Sequence, residues 1–139
     1  PTHDVLRNAS VDRTREDYPE AIIIAHPECR EDVVDAAHEV CSTTGMLDAV
    51  GRYPDAKTFI IATEEGMMHQ LKLRYPEKEF VSADGCIGCR LHCPYMKVTG
   101  LQDVYFSLAD ERFEITLDDD VIEGARAALE RMMAVPRDH

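Results

Sequence analysis

No apolar run in the sequence approaches the roughly 20 residues that a membrane-spanning helix needs, so a membrane is not an expected partner. The start, Pro1-Thr2-His3-Asp4, has neither the basic cap nor the apolar stretch of a signal peptide. Together these absences predict a cytoplasmic protein. Positive charge is scarce: 15 Lys and Arg face 27 Asp and Glu, for a net charge of −12. No basic patch relieves this, so a polyanion would be repelled and nucleic acid is not expected to bind. Lysine is scarcer still, limited to Lys57, Lys72, Lys78 and Lys97, which together with the dispersed acidic residues suits a surface adapted to high salt. In a reducing cytosol thiols stay free, so the five cysteines point to metal or redox chemistry before structural disulfides.

The 139 residues, 45% of them apolar, can bury a core of ordinary size as one domain or two small α/β units. Three segments share one layout. Asp17-Tyr18-Pro19-Glu20 precedes AIIIAH, Arg52-Tyr53-Pro54-Asp55 precedes AKTFIIAT, and Arg74-Tyr75-Pro76-Glu77 precedes KEFVSA. Proline disfavours helix at the residue before it and lacks an N–H, so a helix breaks at each Tyr-Pro and a strand follows. Apolar residues at Met46, Val50 and Tyr53, and at Met67, Met68, Leu71 and Leu73, suit the helices. Apolar strands at Ile22 to Ile24 and Phe59 to Ile61 read as buried on both faces. The expected fold is therefore α/β, with parallel sheets covered by helices on both sides in three layers.

Residues 84 to 100 break the rhythm with Gly85, Gly88, Cys86, Cys89, Cys93 and Pro94, the composition of a functional loop. A helix is predicted over Gln102 to Leu108 and a short alternating strand over Phe113 to Leu117. Asp118 to Asp120 would supply an N-cap and an acidic first turn for a last helix, Val121 to Val135. Its apolar stripe, Val121, Ile122, Ala125, Ala128, Leu129, Met132 and Met133, is expected to be core.

Ligands of open α/β sheets gather beyond the carboxyl ends of the strands. The first strand delivers His26-Pro27-Glu28-Cys29 there, the second Thr63-Glu64-Glu65-Gly66 and the third Ser82-Ala83-Asp84. His26 and Glu28, two residues apart, would project to one side of an extended segment as an acid/base pair, or else form a polar turn locked by Pro27. Ser42-Thr43-Thr44-Gly45 at a helix start is either an ordinary cap or an anion site. Thr63-Glu64 faces the same choice, with the cap favoured. Cys86, Cys89 and Cys93, at x2 and x3 spacing before Pro94, are close enough to converge on zinc or iron, or for Cys86 and Cys89 to form a reversible disulfide. A zinc-stabilised binding module without catalysis is the alternative function. His92 completes a zinc set only on paper, and Cys29 and Cys41 read more simply as small buried residues.

Taken together, HPEC at 26 to 29, STTGM at 42 to 46, FIIATEEGMMHQL at 59 to 71 and CPYMK at 93 to 97 resemble quinolinate synthase, over the later portion of that family's longer chain. The resemblance implies a fragment of a pseudo-threefold fold. Residues 1–41 would end its second α/β unit, 42–117 would form the third with the cysteine loop at 84–100, and 118–139 would be a C-terminal helix and tail. It also implies condensation of iminoaspartate with dihydroxyacetone phosphate to quinolinate in NAD biosynthesis, with an L-aspartate-oxidising enzyme as supplier. The implied cofactor is a 4Fe–4S cluster held by three cysteines, one from each unit, whose open iron acts as a Lewis acid in the dehydration. Carried over by motif, Cys93 is the single cluster ligand of this chain and two more are expected upstream. One of these would lie in a Cys-x-x-His context just before Pro1-Thr2-His3. His26, Pro27, Glu28, Ser42 and Thr43 match substrate-binding positions, with Glu28 and His26 catalytic and Glu28 moving protons. Cys41 departs from the family's usual Gly, and the x3 spacing before Cys93 is one residue longer than in some relatives. By itself the fragment is expected to be inactive.

Overall fold

In a computed structural model, residues 2–83 and 91–135 are described. They fall into two compact units, Pro1–Met96 and Lys97–His139. In the first, a 3-10 turn at His3–Val5 leads into α1 (Asn8–Asp17), β1 (Ile22–Ala25), α2 (Glu31–Asp35), β2 (Glu39–Val40), α3 (Thr43–Gly51), β3 (Thr58–Ala62), α4 (Met67–Arg74) and β4 (Glu79–Ser82). The strands form one parallel sheet in the order β2-β1-β3-β4. Ile22 pairs with Phe59, and Phe59 with Phe80, so the two central strands run in register.

Each expected break falls where proline chemistry puts it. α1 ends at Asp17, α3 at Gly51 and α4 at Arg74, and a strand begins four or five residues after each Tyr. Alternation along the central strands then divides the core into two layers. Ile23, Ala25, Ile60 and Ala62 join Leu6, Val11, Val33 and Leu91 in one cluster, while Ile24, Phe59 and Ile61 join Met46, Val50, Leu71 and Phe80 in the other. Strands buried on both faces are what a helix-covered parallel sheet requires. The three-layer α/β reading therefore holds, and the sheet spans the expected boundary at 41–42, with β1 and β2 before it and β3 and β4 after it. The short pair α2 and β2 was not foreseen, because five and two residues carry no usable periodicity.

Lys78 closes the edge of this sheet opposite the strand ends that carry the motifs. Its ammonium donates to the carbonyls of Tyr53 at 2.9 Å, Pro54 at 3.1 Å and Ala56 at 2.7 Å, and lies 5.2 Å from the Phe59 ring centroid. One cation thus satisfies the turn that the second Tyr-Pro creates. Since a hydrogen bond to a charged group contributes about 1.5–3 kcal/mol, Lys78→Met should lower unfolding free energy by about 2–3 kcal/mol in a urea titration. An unchanged midpoint would refute it.

The second unit contains a 3-10 turn whose first residues belong to the end of the first unit, then α5 (Leu101–Ala109) and α6 (Asp119–Ala134). Asp103 accepts the Gly100 N–H at 2.8 Å and so secures the start of α5. Two expectations need correction. Phe113 to Leu117 is not a strand: Glu111 and Phe113 have φ of 52° and 64°, left-handed values that a strand cannot contain. Nor is the α6 stripe core, since no residue of α6 is buried and Leu129, Met132 and Met133 are 54%, 63% and 78% exposed. Helical spacing predicts an apolar face, but it does not predict that the cover lies in the same compact unit. Asp118 does stand at the N-cap, without a side-chain hydrogen bond, and Asp119 and Asp120 fill the first turn.

Candidate functional site

Because all four strands are parallel, their carboxyl ends meet at one edge of the sheet, and the chain leaves each through a polar segment. After β1 it does not stay extended. The Cys29 N–H donates to the His26 carbonyl at 2.9 Å, closing a turn, and the Glu28 N–H donates to His26 Nδ1 at 3.2 Å. His26 and Glu28 are therefore brought together by a turn, the second of the two conformations that the sequence leaves open. The geometry also sets the histidine's state. Nδ1 accepts, so the proton of a neutral ring is on Nε2. Partial burial pushes the His26 pKa down and neighbouring His3 adds to this, against a smaller opposing effect of Glu28.

His3, which no motif in the sequence singles out, joins this group. Its ring stacks on His26 with centroids 4.4 Å apart and planes within 7°. Nδ1 lies 3.2 Å from Glu28 Oε2 and Nε2 lies 3.0 Å from Thr63 Oγ1. One ligand atom from each of His3, His26 and Glu28 lies within 4.8 Å of the others. His3 is thus the bridge between the segment after β1 and the segment after β3. Nothing within three residues of His3 signals this.

Ser42 and Thr43 enter beside this group from β2, where the Cys41 N–H donates to the Ala25 carbonyl at 3.0 Å. Ser42 is the N-cap of α3 and accepts the Gly45 N–H at 3.3 Å, while Thr43 is exposed. No hydrogen bond among the described residues joins either to His26 or Glu28. Gly45 is needed for close approach: a Cβ there would lie 2.9 Å from Cys41 Cβ. Pro27 is exposed in the turn that carries His26 and Glu28.

After β3, Thr63 and Glu64 are buried at 2% and 6% exposure. Glu64 Oε2 accepts the N–H of Gly66, the N-cap residue of α4, at 2.7 Å and not an N–H of the helix's first turn, while the Thr63 hydroxyl turns to His3, so neither side chain is an ordinary cap of α4. Glu64 Oε1 accepts the Cys93 N–H at 3.4 Å. Cys93 is half-buried, and the Thr2 hydroxyl, then the Met96 and Tyr95 backbone N–H groups, hold its thiol below the usual range, against opposing contributions from burial and Glu64. A thiol lowered in this way leans toward thiolate, the form that ligates metal. The other described cysteines differ. Cys29 donates its thiol to the Ala62 carbonyl at 3.2 Å in the core, and burial raises the pKa of both Cys29 and Cys41. Cys29 is thus a packed thiol, as its sequence context suggested. Cys86 and Cys89, and with them the local zinc set and the disulfide, lie outside the described residues. His92, the fourth paper ligand, has Nδ1 2.7 Å from Glu65 Oε1.

No helix of the described residues is long and apolar enough to cross a membrane. The family described as NadA, quinolinate synthetase A protein, matches residues 1–134. The chain is 41% identical over 138 residues to the quinolinate synthase of Geotalea uraniireducens, and to that of Geobacter metallireducens, covering 99% of this chain and 44% of each relative. The quinolinate synthase of Methanosarcina barkeri is 39% identical over 135 residues, 97% of this chain and 43% of its own. The chain thus spans less than half the length of these curated relatives.

Proposed function

Because the chain belongs to the quinolinate synthase family, we propose that it supplies the substrate half of a site that condenses iminoaspartate with dihydroxyacetone phosphate to give quinolinate in NAD biosynthesis. The observation that carries this is the convergence of His3, His26 and Glu28 beyond the carboxyl ends of one parallel sheet, where Thr63 meets His3 and the next residue, Glu64, accepts the Cys93 N–H. Iminoaspartate is aspartate oxidised by two electrons, so an L-aspartate-oxidising enzyme is the upstream partner.

In this reading Glu28 is the proton carrier. It is exposed to substrate, its headgroup is held by His3, and its carboxylate can take a proton from carbon and return it in the tautomerisations that precede aromatisation. His26, neutral and locked with Nε2–H outward from its accepting Nδ1, donates a hydrogen bond to a substrate oxygen. Pro27 limits the freedom of the turn between them. The start of α3 offers free backbone N–H groups for the substrate's carboxylate or phosphate, with Ser42 and Thr43 beside it. Cys93 is this chain's one ligand to a 4Fe–4S cluster, and the remaining two come from the part of the family chain outside these residues. When bound, that cluster supplies Lewis acidity toward substrate oxygen. The residues at 1–41 and 42–117 would then correspond to the family's second and third units.

The test is turnover. Full-length protein carrying this chain, reconstituted anaerobically with iron and sulfide, should form quinolinate from iminoaspartate and dihydroxyacetone phosphate, and residues 1–139 alone should form none. Absence of quinolinate from the iron-loaded full-length protein would overturn the proposal.

A further inference from the structure

We propose that the Glu64-Glu65 corner after β3 is a clamp on the segment 91–93, making Glu64 a positioning residue that fixes Cys93 for its metal. This rests on the reading of Cys93 as the cluster ligand. Three consecutive residues of that segment are tied to the corner. The Glu65 N–H donates to the Leu91 carbonyl at 2.7 Å, His92 Nδ1 lies 2.7 Å from Glu65 Oε1, and the Cys93 N–H donates to Glu64 Oε1 at 3.4 Å. Leu91, 3% exposed, anchors the segment in the layer formed with Ile60 and Ala62. The clamp is thus a row of polar contacts beginning at a core side chain and ending at the sulfur-bearing residue.

The burial of Glu64 shows why an ordinary cap does not account for it. An N-cap sits on the surface at little cost, and Ser42, exposed, does that for α3. A carboxylate at 6% exposure is costly unless its oxygens are partnered. Glu64 divides them: Oε2 takes Gly66 N–H at 2.7 Å and Oε1 reaches the ligand segment. The neighbouring Thr63 hydroxyl meets His3 Nε2 at 3.0 Å, so adjacent residues of one strand end hold the substrate-side histidine and the cysteine loop. Partners of this kind orient a ligand and tune the metal it holds, and their loss commonly leaves the fold in place while loosening the metal.

The test uses full-length protein loaded anaerobically with iron and sulfide, comparing parent, Glu64→Gln, Glu64→Ala and Cys93→Ser. Glu64→Ala removes both acceptors. Glu64→Gln keeps the volume and one acceptor, and decides the matter if the alanine variant does not fold. Iron release to a chelator should accelerate about 10–100-fold in the Glu64 variants, the range seen when outer partners of a metal ligand are lost, with an altered electron paramagnetic resonance signal. In the metal-free protein, amide exchange at residues 91–93 should rise as well, which a role confined to capping α4 would not produce. Parental iron release and parental exchange in Glu64→Gln would overturn the clamp while a Cys93→Ser variant without iron leaves the ligand reading standing. A Cys93→Ser variant that keeps its cluster would overturn that reading and the clamp with it.

Discussion

Replacing Cys93 by Ser is expected to abolish iron–sulfur absorption in the reconstituted full-length protein, whereas Cys86→Ser should leave it intact. At Cys93 the Thr2 hydroxyl and the Met96 and Tyr95 backbone hold the thiol below its usual range, which favours the thiolate that ligates metal. Serine is a far harder and more basic ligand than a thiolate, and soft thiolates are what select iron–sulfur clusters. With only three cysteines expected to hold the cluster, losing one should remove most of the iron and, with it, quinolinate formation. Cys29→Ser is not expected to do the same, because that sulfur already donates to the Ala62 carbonyl in the core. Iron analysis and visible absorption on anaerobic samples check the prediction. Equal loss of iron from Cys93→Ser and Cys86→Ser would show that the ligands were chosen wrongly.

The sheet was legible because its punctuation is local. Each Tyr-Pro pair stops a helix through proline's missing N–H and its clash with the preceding residue, and the runs at Ile22 to Ile24 and Phe59 to Ile61 are apolar enough to show burial on both faces. α2 and β2 escaped because a strand of two residues, Glu39–Val40, has no period to read. The α6 stripe misled for the opposite reason: a strong helical period was taken to mean burial, and burial depends on a partner that periodicity does not name. At the site, His26, Glu28 and Cys93 could be chosen from motif and strand-end position. His3 could not, since its role comes from contacts with Glu28 and Thr63, 25 and 60 residues away. The cap expected of Glu64 leaves out its contact with the Cys93 N–H, 29 residues away.

Glu28→Gln should lower kcat by about 10²–10⁴-fold, the range for loss of a general acid/base, while iron content stays at the parental level. The substitution is close to isosteric, and the amide oxygen can still accept from His3 Nδ1, so the His3–His26 stack and the turn closed by Cys29 N–H have no reason to move. What disappears is the ability to carry a proton. An effect confined to kcat therefore separates chemistry from placement: a carboxylate that only anchored substrate would raise KM instead. The position of Glu28 favours the first outcome. Its side chain is 71% exposed and its one described side-chain partner, His3, is 16% exposed, so the carboxylate stands at the open side of the group with the imidazole behind it. His3 in turn meets Thr63, two residues buried at the end of β3 keep that corner fixed, and Glu28 is the member left free to face substrate. A variant with kcat within threefold of the parent would remove Glu28 from the chemistry and leave His26 and His3 as the groups to examine.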